Sequence, residues 1–469
     1  MLTSKTGSDV VATNVSSNQS TSHNFFGRVG DEDDDSINTV SAEASYLLTQ
    51  GGERLPSNSL AVVFSLWSTM IGSTLLAMPK IVSSTGIISS IIGTAIVCVS
   101  NTYTVQLMER LGKFHGNNGT VVLKDAGKYV YPFATLVSVA VLLGANTIYN
   151  IYICDGLMNI AKINPKNEHY RPIFSAAIAG VFFVVGLLRS LKPLFKAAGY
   201  AIIIVIFIVG FIIGKAAEQL VHNDQCTATA TAAAPSHNAA NVSITTVAPH
   251  HDLSSSQLVW RGFGPFVENC ASMSLSLYIH SLVLPIMNLA NRPQNNPRDL
   301  VISFIATAIS IVGPASLAAY AYKDCDISGD FLDMFDDVPT TVARVAVILL
   351  VGVVSPILLY NARNQLLGIL FGRDDFPYWG HVVFNLIAIT ITTIPCALGV
   401  DTNVVAAIAG ICSIFWVTFL PVGMWWSHVS RREPERLNVL FYAVHVVVLL
   451  FGVLLVAATV ISEASNILN

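Results

Sequence analysis

Apolar residues form long runs separated by short polar segments from about residue 58 to the C-terminus. An α-helix needs about 20 apolar residues to cross roughly 30 Å of hydrocarbon. Eleven runs approach or reach this length, which predicts an all-α membrane protein with eleven transmembrane helices. The predicted spans lie at about 58–84, 86–108, 131–158, 172–188, 197–219, 264–290, 300–321, 340–368, 378–396, 403–427 and 438–461.

The composition agrees with this pattern. Hydrophobic residues make up 53% of the chain and charged residues only 12%, whereas roughly 25% of an ordinary soluble domain is charged. Residues 57–465 are therefore predicted to form a transmembrane domain.

The N-terminal segment, residues 1–56, is polar and Ser-rich and contains an acidic run from Asp31 to Asp35. Low hydrophobicity with clustered charge predicts a disordered tail. No apolar stretch follows a basic start, so the segment is not typical of a cleavable signal peptide. We interpret it either as a solvated tail or as a partner-binding segment.

Lys and Arg residues in the loops predict the orientation of the chain. They are concentrated in alternate loops, beginning with Arg110, Lys113, Lys124 and Lys128, and are sparser in the loops between. Cytosolic loops are the ones enriched in Lys and Arg. The N-terminus is therefore predicted to be cytosolic and, after an odd number of spans, the C-terminus luminal or extracellular.

The longest internal loop, residues 220–262, is Ala/Thr/His-rich and falls on the non-cytosolic side of this topology. It carries the sequon Asn241-Val-Ser, a glycosylation acceptor that is meaningful only on that side. Of the seven cysteines, only Cys226 and Cys325 lie in non-cytosolic loops. An oxidising lumen favours a disulfide bond between them.

Helix-weakening residues interrupt the first span. The stretch WSTMIGSTLLAMPK, residues 67–80, places Ser, Thr and Gly inside an apolar run, although every backbone polar group in lipid must be bonded within the protein. Span 6 has a similar interruption, and both spans end near a proline, Pro79 and Pro285. Paired interruptions in two halves indicate a transporter built of inverted repeats, with substrate at the broken helices. Small residues that allow close helix packing are the alternative explanation.

Five further intramembrane polar residues have alternative interpretations. Tyr149 and Asn150 are either ligands or partners in interhelical hydrogen bonds. Asp155 and Glu268 either supply a pocket for a cationic side chain or are paired residues at helix ends. His280 is either a satisfied histidine of the bundle or a gate or proton-linked site.

Sequence motifs of enzymes are missing. The chain has no H-E-x-x-H pair, no nucleophile elbow and no phosphate-binding Gly-rich loop. His250 and His251 are interpreted as surface histidines of a low-complexity loop rather than as metal ligands. No enzymatic activity, metal or nucleic-acid partner is therefore expected.

Several motifs resemble the amino acid/auxin permease family, in its branch of sodium-coupled neutral amino acid transporters. WSTMIGSTLLAMP is similar to the first-helix signature of that family. The second half is more specific, with IHSLVLPI, NNPRDL at 295–300, KDC followed by FLDMF at 331–335, and NARNQLLGILFG at 361–372 followed by His381. These motifs look most like a lysosomal, arginine-responsive member of the branch that takes part in nutrient signalling.

The resemblance implies the five-plus-five inverted repeat of the leucine-transporter type, with helices 1 and 6 broken. It also implies alternating access and an amino acid bound against the unwound part of span 1, and it supports the Cys226–Cys325 disulfide. The substrate contacts are then expected at Thr69, Met70, Ile71, Gly72, Ser73, Ser274 and Ser276.

The sequence departs from the family at the sodium site. Members commonly have Asn after the Trp of span 1 and Thr just before the Pro of span 8, whereas this chain has Ser68 and Ser355 in those regions. Both serines still offer oxygens to a cation, but hard cations need several oxygen ligands in a fixed geometry. Coupling to sodium, to protons or to neither stays open.

A short motif in the tail bears on the compartment. Glu43, Leu47 and Leu48 match an acidic dileucine signal, which cytosolic sorting adaptors read. It predicts a lysosomal or vacuolar membrane, with the plasma membrane as second choice. A nutrient-signalling scaffold is a further candidate partner, although the tail has no clear match to the segment that binds it in the lysosomal relative.

The sequence therefore predicts a secondary amino acid transporter of the lysosomal or vacuolar membrane that moves its substrate from lumen to cytosol. The alternative is a sensor that binds an amino acid, transports it slowly or not at all, and signals through its cytosolic tail. A channel is disfavoured, because paired broken spans match alternating access.

Overall fold

The computed structural model describes residues 59–72, 74–115, 122, 129–163, 169–187, 192–222, 259–287, 290, 292–325, 327–371, 377–433, 435 and 437–468. Most of these residues are helical. The helices are α1 (Ser59–Met70), α2 (Thr74–Thr85), α3 (Ile87–Phe114), α4 (Val130–Ile160), α5 (Tyr170–Gly186), α6 (Lys192–His222), α7 (Phe263–Ser276), α8 (Val283–Met287), α9 (Asn296–Ala321), α10 (Val338–Phe371), α11 (Tyr378–Ala397), α12 (Thr402–Arg432) and α13 (Val439–Leu468). Short 3₁₀ helices occupy Pro293–Asn295 and Phe331–Met334.

Every predicted span coincides with one of these helices or with a consecutive pair. In the described part of the chain, eight helices are long and apolar enough to cross a membrane, or up to nine if α1 and α2 form one span. With 17 residues, α5 is shorter than the about 20 residues that a helix needs to cross the hydrocarbon core. The protein is thus an all-helical, multi-pass membrane protein. The total of eleven spans stays a prediction.

Two pairs of consecutive helices are separated by short non-helical segments. The axes of α1 and α2 diverge by 62° across the residues between Met70 and Thr74. Residues 277–282 separate α7 from α8, and α8 has only five residues. Gly72 lies in the first of these segments, whereas the second has the sequence LYIHSL and directly follows Ser272, Ser274 and Ser276 of α7.

Helix α4 lies in the interior of the bundle and α13 at its edge. In its most apolar stretch α4 is 67% buried, whereas α13 is only 22% buried. Helix α4 packs against α10, α11 and α12. Many apolar side chains of α13 are exposed, among them Leu440, Val447 and Leu450. Apolar side chains on the outside of a bundle are expected where the helix faces lipid, which contains no water.

A connecting segment, residues 327–335, covers α2 and is called the cover segment below. Phe331 and Leu332 are buried within it. Arg344 of α10 donates hydrogen bonds to the carbonyl of Leu332 at 3.0 Å and to that of Phe335 at 3.2 Å. Asn159 of α4 donates to the Asp333 carboxylate at 2.9 Å. The cover segment is therefore fastened to two helices as well as packed on α2.

One acidic residue makes the cover segment sensitive to pH. Burial, followed by the neighbouring charge of Asp333, raises the pKa of Asp330 to about 7, compared with about 3.9 for a solvated aspartate. An acid with a raised pKa binds its proton more tightly in the packed arrangement than when released. Lowering the pH from about 7 to about 4 therefore stabilises the packed cover segment.

Candidate functional site

A small cavity lies where α1 and α2 meet, between α4, α7 and α10. Its volume is about 40 Å³. One water molecule needs about 10–15 Å³ of such space, so an amino acid fits only if the surrounding side chains move apart. The lining residues are Thr69, Met70, Gly72, Thr74, Val141, Leu142, Ala145, Ile148, Tyr149, Leu275, Ser276, Tyr278 and Leu358.

The backbone at the α1–α2 interruption leaves the helical pattern within a few residues. The Ile71 amide donates to the Trp67 carbonyl at 3.1 Å, as in a helix, but the Gly72 amide turns to the Met70 carbonyl at 3.1 Å. The first N–H groups of a helix have no intrahelical partner and carry the positive end of its dipole. The N-terminus of α2 therefore presents an anion-favouring end beside the cavity.

Gly72 and Tyr149 make the closest contact of the interruption. A Cβ atom added to Gly72 would overlap the Tyr149 hydroxyl and lie 3.0 Å from Cε1 of the ring. Tyr149 is 7% exposed, so its ring has little room to retreat. Position 72 needs glycine because the phenol of α4 occupies the space that any side chain there would take.

The C-terminus of α7 forms the opposite wall. The Leu277 amide donates to the Met273 carbonyl at 2.9 Å and the Tyr278 amide donates to the Leu275 carbonyl at 3.2 Å. Among the described residues, no backbone amide donates to the Ser276 carbonyl. Since the last carbonyls of a helix carry the negative end of its dipole, this wall favours a cationic group.

Side-chain hydrogen bonds tie residues 277–282 to neighbouring helices. The Tyr278 hydroxyl lies 2.9 Å from the Ser138 hydroxyl of α4. Asn361 of α10 donates to the Ser281 hydroxyl at 3.1 Å. The interruption after α7 is thus held by residues of two other helices.

The electrostatic character of the cavity follows from its lining. None of the lining residues carries a formal charge. The lining has a polar end at the two interruptions and an aliphatic wall from α4 and α10, namely Val141, Leu142, Ala145, Ile148 and Leu358. Such a site matches a carboxylate near α2, an ammonium near the end of α7, and an uncharged side chain against the aliphatic wall.

The sequence matches the family model described as "Transmembrane amino acid transporter protein" over residues 56–463. That match covers most of the chain. The chain belongs to this family. The family resemblance is therefore confirmed, and its members transport amino acids rather than catalyse a reaction.

Curated relatives named Neutral amino acid transporter 9 agree with the family. The Xenopus laevis protein is 22% identical over 474 residues, which cover 86% of this chain and 79% of the frog protein. The Rattus norvegicus protein is 27% identical over 197 residues, which cover 40% of this chain and only 34% of the rat protein.

The fold has a counterpart among solved transporters. Mhp1, a nucleobase-cation-symport-1 family transporter in a closed conformation with bromovinylhydantoin bound, aligns with a TM-score of 0.53 and 11% identity. The alignment covers 87% of this chain and 94% of that chain. At this identity the likeness shows the fold alone, which is a leucine-transporter-like helical fold.

The expected substrate contacts divide into three groups. Thr69, Met70, Gly72 and Ser276 line the cavity, whereas Ile71 and Ser274 do not. Ile71 is packed in the apolar core. The Ser274 carbonyl accepts a hydrogen bond from Ser413 at 3.1 Å. Ser73 lies outside the described residues, so its role stays a prediction.

The two serines considered for a cation have protein partners in different places. Ser68 donates to the Ser65 carbonyl of its own helix at 3.2 Å. The Ser355 hydroxyl donates to the side-chain oxygen of Asn146, whose amide nitrogen in turn donates to the Ser355 carbonyl at 3.2 Å. Ser355 therefore bonds to α4. Ser68 lies on α1, which packs chiefly against α6 and α9.

The remaining polar residues of the membrane region do not line the cavity. Asp155 pairs with Arg171 at 2.8 Å, which agrees with the interpretation as a paired residue near a helix end. Asn150 donates to the Thr392 hydroxyl at 3.1 Å, an interhelical hydrogen bond. Glu268 is exposed. None of the described residues that line the cavity is a carboxylate that could bind a cationic side chain.

Other predictions fall partly outside the described residues. Cys226, Asn241, Glu43, Leu47 and Leu48 all lie outside them. Cys325 is disulfide-bonded, and the other cysteines of the described part are free thiols. The same part of the chain contains no group of three or more His, Cys, Asp or Glu residues that could hold a metal ion.

Sequence reasoning missed most of the α4 wall and one aromatic residue. Val141, Ala145 and Ile148 recur at helical spacing, but an apolar face of a span is equally typical of simple helix packing. Tyr278 follows directly on the interrupted segment of span 6. A search for aromatic residues next to this interruption would have found Tyr278.

Proposed function

We propose that the protein is a secondary transporter of neutral amino acids that binds its substrate in the cavity between α1, α2, α4, α7 and α10. The single observation that carries this proposal is the position of that cavity at the α1–α2 interruption, within a chain of the amino acid transporter family. The two interrupted helix pairs would then move so that the cavity opens to one side of the membrane and then to the other. Inverted-repeat transporters alternate in this way around a site at their broken helices.

The charge of the cavity selects the substrate class. A buried cationic side chain without a partner is strongly unfavourable, and no carboxylate lines the cavity. We expect leucine and similar aliphatic amino acids to bind better than arginine or lysine, because the α4 wall offers only apolar contact. The α-carboxylate would lie at the N-terminus of α2 and the α-ammonium near the Ser276 carbonyl.

Export from an acidic lumen is the direction we favour. The dileucine motif at Glu43, Leu47 and Leu48 supports a lysosomal or vacuolar membrane, reached through sorting adaptors. The acid-stabilised cover segment around Asp330 supports a luminal side at low pH. Eleven spans, the Cys226–Cys325 disulfide and glycosylation at Asn241 belong to the same proposed topology.

Uptake into proteoliposomes tests this function. Purified chain is reconstituted with unlabelled leucine inside, and the exchange of external labelled leucine is followed with no ion gradient. We expect saturable exchange that unlabelled leucine inhibits more strongly than unlabelled arginine does. Saturable binding without exchange, measured beside a known exchanger as positive control, would show that the protein does not transport.

The sensor is the second candidate function. It is favoured by one observation, namely that the family match begins at residue 56 and leaves a polar tail outside it. Removing residues 1–55 distinguishes the two functions. A transporter keeps its leucine exchange, whereas a sensor without flux keeps only leucine binding and loses the partner that reads its tail.

A further inference from the structure

Helix α3 carries a buried polar stripe on the face that packs against α7 and α8. One end is fixed by Asn269 of α7, which donates to the Ser90 carbonyl at 3.4 Å. The other end is fixed by Thr104, which lies 2.9 Å from Nε2 of His280. At 1.5 Å per residue the stripe is about 21 Å long. The α3 residues on this stripe recur at helical spacing and are Ser90, Thr94, Asn101 and Thr104.

The polar stripe contains buried atoms that lack a partner in the described part of the chain. Each of their residues is at most 3% exposed. Buried polar groups in proteins are nearly always bonded, and ordered water serves where protein groups do not. The stripe therefore has the chemistry of a hydrated path through the bundle. The atoms are Ser90 Oγ, Thr94 Oγ1, Asn101 Nδ2, Asn269 Oδ1 and His280 Nδ1.

The hydrogen bonds of Thr104 assign the proton on His280. The Thr104 hydroxyl has one hydrogen, and the carbonyls of Ser100 and Asn101 both lie 3.1 Å from its oxygen. If that hydrogen is donated to the helix backbone, Nε2 of His280 must donate to Thr104. The free lone pair of the neutral ring then lies on Nδ1, the nitrogen without a partner.

The surroundings of His280 contain few titratable groups. No charged side chain of the described residues acts on it. Beyond the end of the stripe on α3, Glu109 and Lys113 pair with each other at 2.6 Å. The other groups to consider are Tyr278 on its own segment, Cys270 on α7, Cys412 on α12, Arg110 on α3 and Arg363 on α10. His280 is the only histidine among these groups.

We propose that the polar stripe is a proton path and that Nδ1 of His280 is the proton acceptor that couples amino acid transport to protons. The inference rests on the proposed function. A hydronium ion of the path gives its proton to the Nδ1 lone pair, which forms an N–H bond and leaves water. The same N–H bond breaks when the proton is released on the opposite side. His280 lies two residues from Tyr278, which lines the cavity, so one segment carries both proton and substrate.

The test uses two readouts on the full chain in proteoliposomes that contain a pH-sensitive dye. Leucine exchange without a gradient reports folding and substrate binding. Leucine-dependent acidification of the vesicle interior reports proton movement. We expect the wild type to show both, and His280→Gln to keep exchange while losing acidification and accumulation driven by a pH gradient.

A matched pair of threonine variants tests the path itself. Thr94→Val removes a hydroxyl of the stripe, whereas Thr135→Val removes a buried hydroxyl of α4 that only bonds the Tyr131 carbonyl of its own helix. We expect Thr94→Val to slow acidification relative to exchange and Thr135→Val to leave that ratio unchanged. The Thr94 comparison decides the matter if His280→Gln does not fold.

Three results would overturn these conclusions, each in its own way. If both His280→Gln and Thr94→Val still acidify the vesicle interior, the stripe is not a proton path, and its small residues serve helix packing. Leucine exchange in the wild type without any leucine-dependent acidification would overturn proton coupling but keep the transporter. A wild type without exchange would overturn the proposed function, and this inference with it.

Discussion

The two interruptions of the bundle are stabilised in opposite ways. Between α1 and α2 the axis turns by 62°, and Gly72 lies directly against the Tyr149 phenol. Between α7 and α8 the chain is held by side chains, with Tyr278 bonded to Ser138 and Asn361 bonded to Ser281. The first interruption depends on a missing side chain and the second on side chains that are present. The first should therefore be sensitive to added atoms and the second to removed ones.

The largest effect is expected from an added atom at the first interruption. Gly72→Ala places a Cβ against the Tyr149 ring, and overpacking of this kind costs about 1–3 kcal/mol. We expect leucine exchange to fall to background at unchanged protein yield. Rates of exchange in proteoliposomes, normalised to reconstituted protein, measure the effect.

Two further variants control this prediction. Gly210→Ala in α6 adds the same methyl group where nothing lies within 4 Å, and it should exchange leucine at the wild-type rate. Tyr149→Ala in the Gly72→Ala background removes the obstructing ring and should recover part of the exchange. Equal rates in Gly72→Ala and the wild type would refute the dependence on a missing side chain.

A smaller effect is expected from a removed hydroxyl at the second interruption. Tyr278→Phe and Ser138→Ala each delete one half of the same hydrogen bond, which contributes about 0.5–1.5 kcal/mol. We expect both variants to lower the maximal exchange rate by similar factors, because each releases the same segment from α4. An increase in the leucine KM in Tyr278→Phe alone would instead show that this hydroxyl contacts the substrate.

The cover segment packs on α2, so a change of pH should affect the first interruption more than the second. The pKa of Asp330 is raised to about 7 by burial, so protonation stabilises the packed segment as the pH falls through this value. We expect the thermal unfolding temperature of the purified chain to rise between pH 7.5 and pH 4.5 by more than in Asp330→Asn, a difference of a few degrees on the order of 1 kcal/mol. Asp324→Asn, an exposed position of the same connection, should behave as the wild type. Identical pH profiles for Asp330→Asn and the wild type would remove the acid-sensitive role.

The smallest effect is expected from sodium. Ser355 donates to Asn146 of α4 and Ser68 to the Ser65 carbonyl of its own helix, and a hard cation needs several oxygen ligands in a fixed geometry besides these two. Replacing external sodium with choline should leave leucine exchange unchanged within about twofold, less than a single hydrogen bond contributes. A steep dependence of the exchange rate on sodium concentration would show that other oxygens complete a sodium site.

The sequence predicted the framework better than the site. Long apolar runs determine the helices, because only helices satisfy their own backbone in lipid, whereas the broken helices expected from the small residues at 68–74 stay a prediction. The α4 wall was missed because Val141, Ala145 and Ile148 look like any buried face of a span. The Ser355–Asn146 pair and the contact of Tyr149 with Gly72 each join residues that are distant in sequence. Only the packing of the helices brings such residues together, so the sequence could not predict these contacts.

The central claim is that the amino acid binds at the α1–α2 interruption, and a structure of the purified chain with leucine bound tests it most directly. The account predicts density for leucine between the N-terminus of α2 and Ser276, with its side chain against the α4 wall and the Tyr149 ring displaced from its present position. Density for leucine at any other place, with Tyr149 still packed on Gly72, would contradict it.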